Sequence, residues 1–258
     1  MSDGFHLDLG DGVVTLTIDR PKANAIDAAT SVRMGETFVE LERDPAVRVV
    51  IVTAAGDKFF SAGWDLGAAA DGEAFDSDYG PGGFGGFVDL PDRTKPVIAA
   101  VNGMAVGGGF EMAMAADLIV AADHAQFFLP EAGLGMLPDA GSVRLPRLLP
   151  AHVAREMLLT GRRMGADEAA HHGLVNRVVS AANLRAAAHA LAAEIVASAP
   201  LSVAAILDIE RRTASMQPID AMREIKTLPT YRAAIDSEDA REGTAAFAEK
   251  RPPVWRGR

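Results

Sequence analysis

The hydrophobic and polar positions at the start of the chain follow the two-residue period of β-strands. Residues 5–9 and 13–18 alternate between apolar and polar side chains, and the turn dipeptide Asp11–Gly12 separates them, which predicts a hairpin. The period then changes to that of a helix over residues 28–43. The β-branched run at residues 47–53 predicts a buried strand.

The middle and the end of the chain differ in their patterns. Strands are predicted at residues 95–101, 118–122, 126–129 and 176–179, and a helix at residues 108–116. The last part, residues 181–258, has the pattern of helices separated by Pro200, Pro218 and Pro229. Strands that alternate with helices and then give way to helices alone predict an α/β core with a C-terminal helical region.

One long segment follows neither the strand period nor the helix period of hydrophobic positions. Residues 66–90 are dominated by Ala, Gly and Asp, and residues 80–86 have the sequence GPGGFGG. Stretches of this length without regular structure are typically functional or disordered, so the sequence predicts a mobile loop or lid here.

Composition and charge narrow the class of protein. The 258 residues are 49% hydrophobic and 23% charged, as in globular proteins, and the net charge of −10 argues against nucleic acid as a partner. The absence of cysteine excludes disulfides, zinc–thiolate sites and cysteine nucleophiles. Residues 1–10 lack a signal peptide pattern, and the apolar run at 112–122 is too short to span a bilayer. We expect a cytoplasmic protein with no membrane partner.

Two small-residue turns follow predicted strands. Residues 106–111 have the sequence VGGGFE, whose glycines leave backbone N–H groups unshielded at the start of a helix, where an oxyanion is stabilised. Residues 59–66, FFSAGWDL, offer a second donor in the N–H of Ala62. Acyl chemistry needs two such donors, although each turn taken singly is also typical of ordinary strand ends.

Two carboxylates stand beside these turns. Glu111 lies in the first turn of the helix that the glycines begin, and Glu131 follows Pro130 in a loop-like segment. Such a pair can act as acid and base if the environment separates the two pKa values. Taken singly, each glutamate is also typical of a solvated surface charge. The six histidines show no metal-binding spacing, so no metal site is predicted. A Ser–His–Asp triad stays open, although the sequence has no nucleophile elbow.

Taken together, these motifs resemble the crotonase (enoyl-CoA hydratase/isomerase) superfamily. The resemblance rests on RPKANAID, FSAGWDL, KPVIAAVNGMAVGGGFE, FFLPEAGLGMLPDAG and FAEKR, in this order along essentially the whole chain. Further segments, including GPGGFGG, LLTGRRMGADEA and the tail SEDAREGTAAFAEKRPPVWRGR, resemble the carnitinyl-CoA dehydratase subfamily.

The resemblance implies a fold and an activity. The implied fold is a crotonase-type ββα spiral over residues 1–195, which binds acyl-CoA, followed by a helical oligomerisation region over residues 196–258. The implied activity is a hydro-lyase that adds or removes water across the C2–C3 double bond of an acyl-CoA thioester, crotonobetainyl-CoA or carnitinyl-CoA. Alternatives are a general short-chain enoyl-CoA hydratase or an enoyl/dienoyl-CoA isomerase. No separate cofactor is expected, because coenzyme A is part of the substrate, and the implied partner is a second copy of the chain in a homotrimer or hexamer.

The resemblance also implies roles for individual residues. Glu111 and Glu131 match the catalytic pair, and Ala62 and Gly108 match the two oxyanion donors. Further positions match residues that contact substrate: Lys22, Ala23, Ala62, Gly63, Trp64, Asp65, Leu66, Gly108, Asp139 and Lys250. Among these, Lys250 matches a lysine that reaches coenzyme A bound in a neighbouring subunit.

Two hypotheses concern the acyl group. Asp139 stands where simple hydratases carry glycine, which keeps isomerisation open, although Asp139 is also typical of a helix N-cap. A trimethylammonium group would suit aromatic faces such as those of Trp64, Phe84 and Phe87, whose alternative role is ordinary packing.

Overall fold

The structure, a computed structural model, describes residues 4–258; residues 1–3, part of the segment in which no signal peptide was predicted, lie outside the described residues. The strands are β1 (Phe5–Gly10), β2 (Val13–Ile18), β3 (Val49–Ala54), β4 (Phe59–Ser61), β5 (Val97–Val101), β6 (Met104–Val106), β7 (Leu118–Ala122), β8 (Gln126–Phe128), β9 (Met164–Gly165) and β10 (Arg177–Val179). The α-helices are α1 (Ala28–Arg43), α2 (Leu66–Ala70), α3 (Gly108–Ala115), α4 (Asp139–Leu148), α5 (Ala151–Thr160), α6 (Ala166–His171), α7 (Leu184–Val196), α8 (Pro200–Thr213), α9 (Pro218–Glu224), α10 (Pro229–Ile235) and α11 (Glu238–Glu249).

The larger sheet has six strands in the order β1-β2-β3-β5-β7-β10. The predicted hairpin, β1 with β2, forms its antiparallel edge, and the remaining neighbours pair in parallel. All residues of β2, β3 and β5 are buried, as expected of parallel strands with both faces covered. Alternate side chains therefore enter two different clusters: Val50 packs into the main core, whereas Ile51 packs with Leu191 of α7 on the opposite face.

The smaller sheet, in the order β4-β6-β8-β9, explains the ββα spiral. After each of β3, β5 and β7, the chain enters the smaller sheet as β4, β6 or β8, and then forms a helix. The three short strands β4, β6 and β8 are parallel to one another, so their carboxyl ends lie at the same edge. The predicted α/β core with a spiral of ββα turns is confirmed by this topology.

Local signals place the helix ends. Asp27 is the N-cap of α1, and its side chain accepts a hydrogen bond from the N–H of Thr30, which satisfies a donor that the helix leaves free. Helices α8, α9 and α10 each begin at a predicted proline, because proline needs no hydrogen-bond acceptor in the first turn.

The segment 66–90 is more ordered than predicted. It contains α2 and a short 3-10 helix, Phe84–Gly86, and residues 85–88 are buried. The ring of Phe87 packs on Phe38 of α1, with 4.9 Å between ring centroids. The prediction of a mobile loop is therefore wrong for residues 85–88, because these pack against the core.

The C-terminal region consists of helices, as predicted. Helix α7 ends at Val196, beside the predicted boundary at residue 195, and α8 to α11 follow. The division into two units stays a prediction. Among residues 4–258, no single helix has the length and apolar character to cross a membrane; the bent pair Ala181–Val196 and Pro200–Thr213 meets these criteria only jointly, with a bend of 101°.

Candidate active site

One cavity of about 340 Å³ lies at the carboxyl ends of β4, β6 and β8. The three strands lead, respectively, into the turn at residues 62–65, the glycine run at residues 107–109 and the 3-10 helix Glu131–Leu134. All three segments line the cavity, together with the start of α4. Parallel strands thus bring together residues that are up to about seventy positions apart in the sequence.

Glu111 is fixed in this cavity by a backbone donor. Its side chain is 6% exposed, and its Oε1 accepts a hydrogen bond of 2.7 Å from the N–H of Gly141 in the first turn of α4. Burial raises the pKa of Glu111 to about 7, the Gly141 N–H opposes this shift, and the charges of Asp139, Glu131 and Asp89 add to it. Glu111 therefore exchanges its proton near neutral pH.

Glu131 faces the same cavity without a partner for one oxygen. It is 8% exposed, and its Oε2 is buried with no hydrogen-bond partner among the described residues. Burial raises the pKa of Glu131, and the charge of Asp139 adds to this shift. A buried carboxyl oxygen without a partner is unfavourable, which indicates a site that a ligand completes.

The three glycines of the turn each allow a different close contact. At Gly107, whose φ is +54°, an added Cβ would lie 2.5 Å from Oε1 of Glu131. At Gly108 it would lie 2.6 Å from the ring of Phe84, and at Gly109 it would collide with the backbone oxygen of Ser61. Glycine is therefore required at all three positions, because at each one a different neighbour leaves no room for a side chain. One of these neighbours is a candidate catalytic carboxylate.

The prediction that Ala62 supplies a free oxyanion donor is wrong. Its N–H donates to the carbonyl oxygen of Ala23 at 2.9 Å, so this hydrogen is already bound. The residues that follow Ala62 pair with Ile26. The N–H of Ile26 donates to the carbonyl oxygen of Gly63, and the N–H of Asp65 donates to the carbonyl oxygen of Ile26. The N–H of Trp64 lies between these bonds, points to the opposite side of the strand, and has no acceptor among the described residues.

Gly108 keeps its predicted free N–H. It is the first residue of α3, so its N–H has no acceptor within the helix, and none exists elsewhere among residues 4–258. The Trp64 turn packs directly on it, because a Cβ added to Gly63 would lie 2.8 Å from the nitrogen of Gly108. The two free donors are thus those of Trp64 and Gly108, both of which line the cavity.

The residues predicted to contact coenzyme A lie on two adjoining segments. Lys22 is exposed and adopts a positive φ of 75°, and the carbonyl oxygen of Ala23 binds the N–H of Ala62. Asp65 caps α2 through Gly67 and forms an ion pair of 3.1 Å with Arg20, while Leu66 is 60% exposed at the cavity mouth. The structure brings these segments together, and their contact with coenzyme A stays a prediction.

Lys250 lies away from the cavity within the single chain. It is exposed, forms the C-cap of α11 with φ +55°, and follows Phe247, whose side chain is 87% exposed. Its predicted contact with a neighbouring subunit's coenzyme A also stays a prediction.

The cavity also contains residues that sequence reasoning missed. Phe75, Asp78, Tyr79 and Asp89 line it, and no motif at these positions indicates their role. Glu73 was missed as well; its Oε1 accepts a hydrogen bond of 2.7 Å from the indole of Trp64 and so holds that ring. Conversely, Phe87 is a core residue, so its proposed contact with substrate is wrong.

The composition of the site limits its chemistry. Among residues 4–258, no group of three or more His, Asp or Glu side chains is placed to hold a metal ion. The cavity offers two buried carboxylates, three exposed aspartates and the unpaired N–H groups of Trp64 and Gly108.

The model of the family described as enoyl-CoA hydratase/isomerase matches residues 8–258. The chain belongs to this family. A curated relative, carnitinyl-CoA dehydratase from Escherichia coli (strain K12), is 57% identical over 261 aligned positions that cover all of both chains. The protein of the same name from Salmonella typhi is 56% identical with the same coverage.

Solved structures agree with the family assignment. The enoyl-CoA hydratase from Mycobacterium tuberculosis H37Rv superimposes with a TM-score of 0.92, at 38% identity and full coverage of both chains. The predicted resemblance to the crotonase superfamily, the predicted fold and the prediction of a lyase are thus confirmed.

Proposed function

We propose that this protein is a hydro-lyase that interconverts crotonobetainyl-CoA and carnitinyl-CoA by adding or removing water at C2–C3. The observation that carries this proposal is the pair Glu111 and Glu131, both buried and both with raised pKa, in one cavity with two unpaired N–H groups. The 57% identity to carnitinyl-CoA dehydratases supports the choice of acyl group.

The thioester carbonyl oxygen accepts hydrogen bonds from the N–H groups of Trp64 and Gly108. These donors stabilise the negative charge that develops on this oxygen when C2 gains or loses a proton. Loss of one such donor typically raises the barrier by about 2.7–4 kcal/mol. Because both donors are backbone groups, their positions are set by the fold and need no side-chain movement.

The two glutamates divide the proton transfers. In hydration, Glu111 removes a proton from the water that attacks C3, and Glu131 delivers a proton to C2; dehydration reverses both steps. The Gly141 N–H fixes the Glu111 carboxyl group, whereas the Oε2 of Glu131 has no hydrogen-bond partner among the described residues. Burial raises the pKa of both carboxyls, and the surrounding negative charge opposes ionisation of both at once.

The experiment that tests this assignment uses amide substitutions. Glu111→Gln and Glu131→Gln keep the shape but cannot exchange a proton, so each should lower kcat for hydration of crotonobetainyl-CoA by about 10²–10⁴-fold. The exposed Glu36→Gln on α1 serves as the control and should keep full activity. Full activity in either site variant would reject the assignment, provided circular dichroism shows an intact fold.

Double-bond isomerisation is the second candidate. Asp139 lines the same cavity as Glu131, so two carboxylates could move a proton along the acyl chain without Glu111. Reaction in H₂¹⁸O separates the two activities, because a hydratase places solvent oxygen on C3 and an isomerase incorporates none. A general short-chain hydratase differs only in its substrate range, which a panel of enoyl-CoA thioesters measures.

Assembly and location complete the proposal. We infer a homotrimer or a hexamer, which is supported by exposed apolar side chains on the C-terminal helices, namely Ile206, Ile219, Met222 and Phe247. In this assembly Lys250 would contact a neighbour's coenzyme A, and Lys22 and Ala23 would contact the chain's own. The cytoplasmic location and the role of coenzyme A as part of the substrate belong to the same proposal.

A further inference from the structure

The charge of the cavity wall is entirely negative. Five carboxylates line it, namely those of Asp78, Asp89, Glu111, Glu131 and Asp139, and none of the described lining residues is Lys, Arg or His. Glu111 and Glu131 are buried, whereas Asp78, Asp89 and Asp139 are exposed. Like charges around one cavity repel one another unless a group is protonated or a cation is bound. Burial first, and neighbouring negative charge second, raises the pKa of Glu111 and of Glu131. The other three leave negative charge that the described part of the chain does not balance.

Asp139 contributes most directly to this imbalance. Its carboxylate accepts one hydrogen bond, of 2.7 Å, from the N–H of Ala140, and it forms no ion pair among the described residues. Its charge acts on three groups of the cavity, because it helps to raise the pKa of Glu111, of Glu131 and of Tyr79, the last to about 12. Asp139 lines the same cavity as these groups and is itself exposed.

Two independent observations indicate a ligand in this cavity. The Oε2 of Glu131, a residue that lines the cavity, is buried and has no hydrogen-bond partner among the described residues. The walls also present aromatic rings in edge-to-face pairs: Tyr79 with Phe84 at 5.5 Å, and Trp64 with Phe75 at 5.6 Å. Ring faces beside uncompensated carboxylates are the surroundings that bind quaternary ammonium groups, which offer no N–H to an acceptor.

We propose that the acyl end of this cavity is a binding site for a quaternary ammonium group, with Asp139 as its charge partner and Tyr79 and Phe84 as its aromatic wall. The proposal deepens the proposed function, on which it rests. The ammonium nitrogen of a carnitinyl thioester lies one methylene beyond C3, the carbon attacked by the water that Glu111 deprotonates. The ring of Phe84 packs on Gly108, so it adjoins the place of the thioester carbonyl. Asp139 is thus a specificity residue, not a proton carrier.

The test measures binding alone, so that it does not depend on hydration. Isothermal titration calorimetry compares 4-trimethylammoniobutanoyl-CoA with its neutral isostere 5,5-dimethylhexanoyl-CoA, in which carbon replaces nitrogen; neither thioester has a double bond to hydrate. We expect the wild-type protein to bind the cation roughly tenfold more tightly. Asp139→Asn, which can still accept from Ala140, should abolish most of this preference and leave the affinity for the isostere unchanged.

Matched variants separate charge from shape. Tyr79→Leu should reduce the preference for the cation, whereas Tyr79→Phe, which keeps the ring, should retain it. The exposed Asp123→Asn, outside the cavity, should retain it fully. Equal affinity of the wild-type protein for both thioesters would overturn the proposal, and so would an equal loss of both affinities in Asp139→Asn. A failure of the proposed function appears separately, as absence of hydration by a protein that still prefers the cation.

Discussion

Replacing Glu111 by glutamine should stabilise the fold increasingly as the pH rises from 4.5 to 7, and fully above pH 7. Burial raises the pKa of this carboxyl from 4.5 to about 7. Below pH 4.5 the group is protonated in both the folded and the unfolded chain, so it makes no difference to stability. Between pH 4.5 and 7 the unfolded chain releases the proton while the folded chain keeps it, which favours unfolding. Above pH 7 the full penalty applies.

The size of this penalty follows from the shift. A difference of about 2.5 pKa units corresponds to about 3 kcal/mol, at about 1.4 kcal/mol for each unit. Glutamine has no proton to exchange, and its side-chain oxygen can still accept from the N–H of Gly141. The free energy of unfolding of Glu111→Gln minus that of the wild type should therefore rise by about 3 kcal/mol from pH 4.5 to pH 8.

Urea denaturation at several pH values, at one fixed protein concentration, measures this difference. Fixing the concentration matters because the proposed subunit association would contribute to apparent stability. The exposed Glu36→Gln controls for the loss of one surface carboxylate. If the stability difference between Glu111→Gln and the wild type stays constant between pH 4.5 and 8, the substitution acts through packing instead. A variant that becomes less stable relative to the wild type as the pH rises would refute the reasoning.

Further predictions concern the rest of the site. Gly107→Ala should lower kcat by about 10²-fold or more with the fold retained in circular dichroism, because its Cβ would lie 2.5 Å from Oε1 of Glu131; unchanged kcat would contradict this contact. Lys250→Ala should raise KM for acyl-CoA and leave KM for acyl-pantetheine unchanged, and an equal rise for both would exclude a phosphate contact. Binding of 4-trimethylammoniobutanoyl-CoA near pH 7 should release protons, seen in calorimetry as a buffer-dependent enthalpy, and Asp139→Asn should release fewer.

Most of the larger sheet and most helices could be predicted from the sequence, because their signals are local. Helix α1 has the predicted bounds, since an N-cap and a proline delimit it, and long β-branched runs identify buried strands. Strands β4, β6 and β9 have two or three residues each and were missed, although β8 and β10, with three residues each, were predicted. The glycine-rich segment at residues 80–86 was misjudged, because glycine serves close packing as well as flexibility, and only the neighbours decide which.

Which residue of the turn offers the candidate oxyanion donor could not be predicted from the sequence. Sequence analysis placed the free N–H of this turn at Ala62, whereas the structure pairs the N–H of Ala62 with Ala23 and leaves that of Trp64 without an acceptor among the described residues. Which N–H points into the cavity depends on the pairing of this turn with Ile26, a contact between residues almost forty positions apart. A shift of one residue reverses the side to which each N–H points, so no motif in the turn alone can settle it.

Substrate charge and proton transfer are coupled in this cavity if the ammonium group binds beside Asp139. The same Asp139 charge that would attract the cation also helps to raise the pKa of Glu111 and of Glu131. A bound cation offsets that charge and so lowers the pKa of both glutamates. The pair is then less protonated than it is in the protein without substrate. By reciprocity, the cation binds more tightly to the ionised pair, so its affinity should rise as the pH increases through 7. A neutral enoyl thioester leaves Asp139 uncompensated and the pair more fully protonated, with less carboxylate to activate water. Recognition of the ammonium group would in this way prepare the base as well as select the substrate.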